Sequence, residues 1–216
     1  MTNFIPLFPL AIVVFPGEEL NLHIFEPRYK QLVNDCFAAK KPFGIPSVIN
    51  DKVSELGTLV EITEISKQYD NGEMDIKTKA TVIFKVLEPI AELPDKLYRG
   101  AIVTYPRTGY GGNPALMKKV LKAIRDLHGL LNVSKDFKKP DEELLSFDIA
   151  HHAGMPIEDE YQVLEFEEEL HRQEYIKRHI IKVLAVMAEM DQLKAKIKLN
   201  GILKTLGDIN FLKIIT

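Results

Sequence analysis

The dominant period of the apolar residues of this chain changes near residue 106, and that change requires two kinds of architecture in one sequence. Up to Tyr105, one early helix apart, they recur at every second position; past a stretch crowded with Pro106, Gly109, Gly111, Gly112 and Pro114 they recur every three or four. A period of two belongs to a strand with one buried face, and a period near 3.6 to an amphipathic helix. The sequence therefore predicts a β-rich half over residues 1–106 and an α-helical half over 107–216, an α+β chain.

Within the first half, Leu20, Leu22 and Ile24 alternate with Asn21, His23 and Phe25. Glu26-Pro27 then opens a helix expected to run to about residue 39. Proline at the first helical position gives up an N–H that would have no partner there, and Tyr29, Leu32, Val33, Cys36 and Phe37 form one apolar face. Strands are expected over 56–67, 74–86 and 98–105. Asp70-Asn71-Gly72 joins the first two, because Asn-Gly between alternating runs supplies the positive φ angles of a tight hairpin. In the second half, Leu116, Val120, Leu121, Ile124, Leu127 and Leu131 fall on one helical stripe. A second helix is expected after Pro140-Asp141, ended by Gly154. A long helix is expected through the acidic residues from Glu158 and the basic stretch 172–182, the order the helix dipole favours. A last short helix, with Leu199, Ile202, Leu203 and Leu206, precedes the apolar run 211–215.

Charge narrows the partners. Lys and Arg number 28 against 31 Asp and Glu, a formal net charge of -3, and the first 110 residues hold twelve against fourteen. A mildly acidic surface does not suit a protein whose main task is neutralising phosphates, so nucleic acid is not the expected partner. Lys77, Lys79 and Lys85 share one strand face and read as a solvated face. The single Cys36 precludes an internal disulfide and suits a reducing compartment. The richest apolar stretch, 180–190, carries Lys182 and Glu189 and is too short for a bilayer. The N-terminus has no cation before Arg28, and Pro6, Pro9 and Pro16 break its apolar run, unlike a signal peptide. A cytoplasmic protein with no membrane partner is expected.

Catalytic motifs are excluded more readily than found. No glycine is followed by lysine, which removes the phosphate loop, and H-E-x-x-H, G-x-S-x-G and S-x-x-K are all absent. Gly109-Tyr110-Gly111 starts like a dinucleotide fingerprint, but Pro114 stands at its third glycine, so it reads as a loop. Glu168 and His171 form one Glu-x-x-His, a spacing that two-metal bundles use twice. The acidic runs at 141–143, 158–160 and 167–169 sit at expected helix starts and read as solvated termini. Cys36 reads as a buried, inert thiol. No catalytic residue, cofactor or metal is expected.

Phe8-Pro9-Leu10, Val14-Phe15-Pro16-Gly17 and Leu22-His23-Ile24-Phe25-Glu26-Pro27-Arg28-Tyr29 together resemble the start of the Lon protease N-terminal, substrate-binding domain family. Gly57-Thr58, Val60-Glu61-Ile62, residues 70–72 and Phe84-Lys85-Val86-Leu87 extend the likeness. Tyr161-Gln162-Val163-Leu164-Glu165 and Arg172 continue it more loosely. The chain departs from the family at Ala80 and Ile83, where a glycine and an arginine are usual. The resemblance implies a PUA-like β-barrel or pseudo-barrel followed by a helical bundle, standing free of the ATPase and peptidase modules of a whole Lon protease. By their own chemistry, Pro16 and Gly17 suit a turn between two strands, Glu26 can accept from the amides at the helix start, and Arg28 can pair with Glu26 or with a barrel carboxylate.

The function expected from this resemblance is non-enzymatic binding of unfolded or partly folded protein segments, with an ATPase or protease acting in trans. Such a segment could add to a strand edge or lie between barrel and bundle, and Phe15, Phe25 and Tyr29 are the expected apolar contacts. An RNA-binding PUA-like protein is the alternative, argued only from fold analogy. A small metal-dependent hydrolase built from His23, His151, His152, Glu168 and His171 is the further one.

Overall fold

The computed structural model describes the backbone of residues 3–212 and side chains through residue 199. Six strands form one antiparallel sheet: β1 (Asn3–Pro6), β2 (Glu19–Ile24), β3 (Phe43–Ile49), β4 (Lys52–Gln68), β5 (Met74–Ile90) and β6 (Gly100–Thr104). The order is β1-β6-β5-β4-β3, and β2 pairs with the N-terminal part of β5. The chain after β1 returns to the far edge, with parallel bridges from Leu7 to Gly44 and Leu10 to Ser47. The Phe8 amide donates to the Gly44 carbonyl at 2.8 Å, and the Val48 amide to that of Leu10 at 2.8 Å. These contacts close the sheet into a pseudo-barrel and occupy the β3 edge.

Helix α1 (Pro27–Ala39) spans the residues its apolar face predicts, with proline in its first turn. Tyr29, Leu32, Val33 and Cys36 pack against Ile24, Phe43, Ile45, Val60, Met74 and Ile76 to form the barrel core. Each fully buried Leu or Val of that face contributes about 1.5–3 kcal/mol relative to exposure. Phe37, at the edge of the stripe, is exposed. The hairpin at 70–72 forms as expected, with Gly72 at φ +77°. Gly17, at φ +89°, also turns the chain as expected, but the segment before it, 13–15, is irregular and not a strand.

In the second half, α2 (Pro114–Leu131) begins at Asn113, whose side chain accepts from the amides of Ala115 and Leu116. Residues 140–154 do not form one helix. They fold as a 3-10 turn (Asp141–Glu143), a four-residue helix α3 (Ser146–Ile149) and a second 3-10 turn (Ala150–His152). The long helix is likewise interrupted, into α4 (Ile157–Glu165) and α5 (Glu169–Leu212). The expected separate helix near 199–206 is instead the continuation of α5. The end of the apolar tail, from residue 213, lies outside the described residues. No helix among the described residues is long and apolar enough to cross a membrane.

The two halves share a core. Val13, Phe15 and Ile83 from the first pack with Leu116, Val120, Ile124, Phe147, Val163, Ile176 and Ile180 of the second. The change of period at 106 therefore divides secondary structure, while packing crosses it.

Candidate functional site

The larger of two cavities among the described residues, about 640 Å3, opens beside the N-terminus of α1. Tyr29 and Tyr98 floor it, Leu7 and Pro9 form one wall, and Pro89 and Leu97 belong to the connection and strand end opposite. It exists because α1, the chain after β1, the end of β5 and the β5–β6 connection all converge there. Tyr29 is 9% exposed, its ring 4.0 Å from that of Phe8. The Tyr98 hydroxyl donates to Asp35 at 2.8 Å, and Lys96 pairs with the same carboxylate at 2.7 Å. Burial first, and then the bond to Asp35, push the Tyr98 phenol far above its usual range, so it stays a neutral donor. Leu97 projects outward, 65% exposed. An aromatic floor with aliphatic walls can bury an apolar side chain.

The residues of the sequence motif are distributed differently from expectation. Tyr29 lines the groove. Phe25 is 58% exposed beside His23 and does not line it. Phe15 is 1% exposed, its ring 5.4 Å from that of Phe147 in the shared core. This corrects the expectation that Phe15 contacts a partner, because the bundle already covers it. Pro16 and Gly17 make the turn that feeds Phe15 inward. Glu26 precedes α1 without capping it; its carboxylate takes the Arg28 guanidinium at 2.6 Å instead. Pro27 starts the helix, and Arg28 stacks over Tyr29 at 4.7 Å, on the groove's rim.

The histidines do not converge. His23 pairs with Asp75 at 2.7 Å and Glu73 at 3.4 Å on the barrel surface. His152 lies against Phe137 and His128, while His171 is exposed next to Phe166. Glu168 packs over Gly109, where a Cβ would come within 2.5 Å of its Oε2; that close approach explains one glycine of the loop after Pro106. Among the described residues, no group of three or more His, Cys, Asp or Glu is arranged to hold a metal ion. Cys36 is buried, and desolvation pushes its thiol up to about 11, the state of an unreactive cysteine.

His151 has a structural task at the junction of the halves. Its Nδ1 donates to Glu160 at 2.8 Å and its Nε2 faces Glu18 at 3.3 Å, while Glu18 accepts from the Phe15 amide at 3.0 Å. Burial opposes the imidazolium, but the two carboxylates prevail and raise its pKa to about 9. A folded pKa above the unfolded value near 6.5 stabilises fully below pH 6.5 and is lost as pH rises through about 9. We expect the melting temperature to fall between pH 6.5 and 9, and His151→Gln to flatten that slope. With a half-exposed ring the effect is about 1 kcal/mol; identical slopes in both proteins would refute it.

A smaller cavity of about 320 Å3 lies between barrel and bundle, but Glu55, Lys85, Glu165 and Glu167 give it a charged lining. The Tyr161 hydroxyl closes part of it, accepting from the Leu56 amide at 3.0 Å. The apolar cavity is thus on the barrel alone. Sequence reading missed Leu97, Tyr98 and Arg99; the only local signal was an apolar residue, Leu97, standing outside the period of the neighbouring strand.

A buried ion pair organises the bundle beneath. Glu169 and Arg172 are both 0% exposed, with Arg172 Nη2 3.0 Å from the carboxylate. Glu169 also accepts from the Ser146 amide at 2.8 Å and hydroxyl at 2.6 Å. Arg172 donates to the carbonyls of Phe166 at 2.6 Å, Glu167 at 3.1 Å and Gly109, and lies 4.2 Å over the Phe147 ring. Glu169 is therefore no solvated helix terminus, as its acidic run suggested; its neighbours Glu167 and Glu168 are exposed.

Comparison with known proteins agrees with this architecture. The sequence matches the family of the ATP-dependent protease La (LON) substrate-binding domain over residues 5–182. The fold is similar to the crystal structure of a Lon N-terminal domain protein from Xanthomonas campestris, with a TM-score of 0.62 and 21% identity over 80% of this chain and 95% of that one. It is also similar to the N-terminal domain of the Mycobacterium avium complex Lon protease, with a TM-score of 0.59 and 11% identity over 82% of this chain and 98% of that one. No curated protein gives a significant match. With the match spanning residues 5–182, and the pseudo-barrel and helical second half both in place, the chain belongs to the Lon substrate-binding domain family.

Proposed function

We propose that this domain binds unfolded or partly folded protein segments, without catalysing a reaction on them, and that an apolar side chain of the segment enters the groove floored by Tyr29 and Tyr98. The observation that carries this reading is that the larger of the two cavities is mainly apolar and is lined by Arg28 and Tyr29, where the sequence motif runs into α1. Membership of a substrate-binding domain family supports it, and an ATPase or protease acting in trans is the proposed recipient of the bound segments. The groove is favoured over strand addition because the β3 edge is already occupied. The outer edge of β2 is guarded by charge: Glu19 pairs with Lys138, and His23 with Asp75.

Fluorescence anisotropy with a labelled apolar peptide, or with a permanently unfolded protein, tests it. Burying one large aliphatic contact is worth about 1.5–3 kcal/mol, so Leu97→Asp should weaken binding about tenfold or more. Leu97 is exposed, so this substitution does not disturb the core. No binding at concentrations on the order of 10 μM, or unchanged binding in Leu97→Asp, would count against the groove.

A further inference from the structure

The groove has a charge as well as a shape, and the charge is of one sign. Only two charged residues line it, Arg28 and Arg99, and no carboxylate does. This is unexpected in a chain with a net charge of -3. Arg28 is held on the rim by Glu26 and by the face of Tyr29. Arg99 has no carboxylate within ion-pair distance among the described residues. Lys96 does not add to the rim's free charge, since it is bound to Asp35 behind the Tyr98 ring. The Arg99 backbone is fixed, because its carbonyl accepts from the Leu7 amide at 2.9 Å, while its side chain is exposed. A guanidinium anchored at its backbone, next to an apolar cleft and without an internal partner, is arranged to receive a carboxylate in two-point fashion.

From this complementarity we infer that the groove selects protein segments in which an apolar residue is flanked by a carboxylate, which Arg99 binds with Arg28 beside it. The inference rests on the groove being the peptide site and adds the chemistry of its occupant. An acidic side chain or the C-terminal carboxylate of a protein chain could each supply the charge. Basic flanks would meet the unpaired Arg99, since Glu26 already offsets Arg28, and be disfavoured, so selectivity would come from repulsion as well as attraction.

The test uses labelled eight-residue peptides sharing one Leu-Phe-Leu centre and flanked by Asp, Asn or Lys, each with a free or an amidated C-terminus. Asp-flanked peptides should bind about tenfold more tightly than Asn-flanked ones, and Lys-flanked ones more weakly still. The advantage should shrink as added salt shortens the screening length from about 10 Å at 0.1 M to about 3 Å at 1 M. Arg99→Glu should reverse the order of Asp and Lys flanks, and Arg99→Lys should restore part of the original order; circular dichroism checks that both variants fold. If amidation weakens Asp- and Asn-flanked peptides alike and Asp gains nothing over Asn, the carboxylate is that of a chain end; if the Asp flank matters regardless of amidation, it is a side chain. Equal binding of all flanks, with free and amidated C-termini alike, would overturn the charge selection while leaving the apolar groove intact. No binding of any peptide would overturn both.

Discussion

Arg172→Ala is expected to destabilise the domain by about 3–5 kcal/mol, because it leaves the Glu169 carboxylate buried without a counter-charge. The backbone carbonyls of Phe166 and Gly109 lose this donor at the same time, and that of Glu167 keeps only the Gly109 amide. A loss of that size is a large share of the 5–15 kcal/mol that typically separates folded from unfolded states. Arg172→Lys should recover only part of it, since one ammonium cannot reach Ser146, Glu169 and the carbonyls that a planar five-donor fork spans. Replacing both members, Glu169→Leu with Arg172→Met, should cost less than the sum of the single changes, because the uncompensated charge disappears with its partner. Urea unfolding followed by circular dichroism measures all three. A cost for Arg172→Ala below about 1 kcal/mol, the range of an exposed pair, would contradict the role given to this network.

Phe15→Ala is expected to cost about 3–5 kcal/mol through the cavity it leaves, and to do so in both halves together. The ring stacks on Phe147, touches His151 and sits with Val13 and Ile83 among bundle residues, so its removal opens the one core that crosses residue 106. Unfolding monitored by a probe in the barrel and one in the bundle should coincide in the native protein. In Phe15→Ala both transitions should shift to lower denaturant, or separate, while Phe15→Leu should show a smaller shift. A change confined to one half would mean that the halves fold independently and that Phe15 does not couple them.

The sequence spoke clearly where one face of an element was buried. Residues 27–39 carry a proline start and a clean apolar stripe, and α1 has those bounds. Asn71-Gly72 between two alternating runs gives the β4–β5 hairpin, and the apolar stripe from Leu116 to Leu131 after Pro114 gives α2. Strand β3 was silent because Phe43, Gly44, Ile45, Pro46 and Ser47 are all buried, so no alternation of exposure could show in their polarity. The break before α5 has neither proline nor glycine to announce it. There the Phe166 and Glu167 carbonyls accept from the Arg172 guanidinium, and that of Glu167 also from the distant Gly109 amide, partners that no local pattern reveals. Glu169 looked like any acid at a helix start until its partner's burial was known.

The candidate site was legible only in part, for the same reason. Tyr29 and Arg28 belong to a continuous motif and could be picked out together. Leu97, Tyr98 and Arg99 join them only because β5 and β6 return to the same end of the barrel, some 70 positions later in the chain. Phe15 shows the opposite error: an aromatic in the motif reads as a contact until the bundle is seen to cover it.

Amide hydrogen exchange of the domain with and without a bound unfolded chain tests the central claim most directly, since it reports where the chain lies without any substitution. The groove account predicts slowed exchange in the first turns of α1, near Arg28 and Tyr29, and through residues 97–100, with little change at the charged cleft of Glu55, Lys85 and Glu165. Protection at that cleft or along the outer edge of β2, with none around Tyr29 and Leu97, would contradict it.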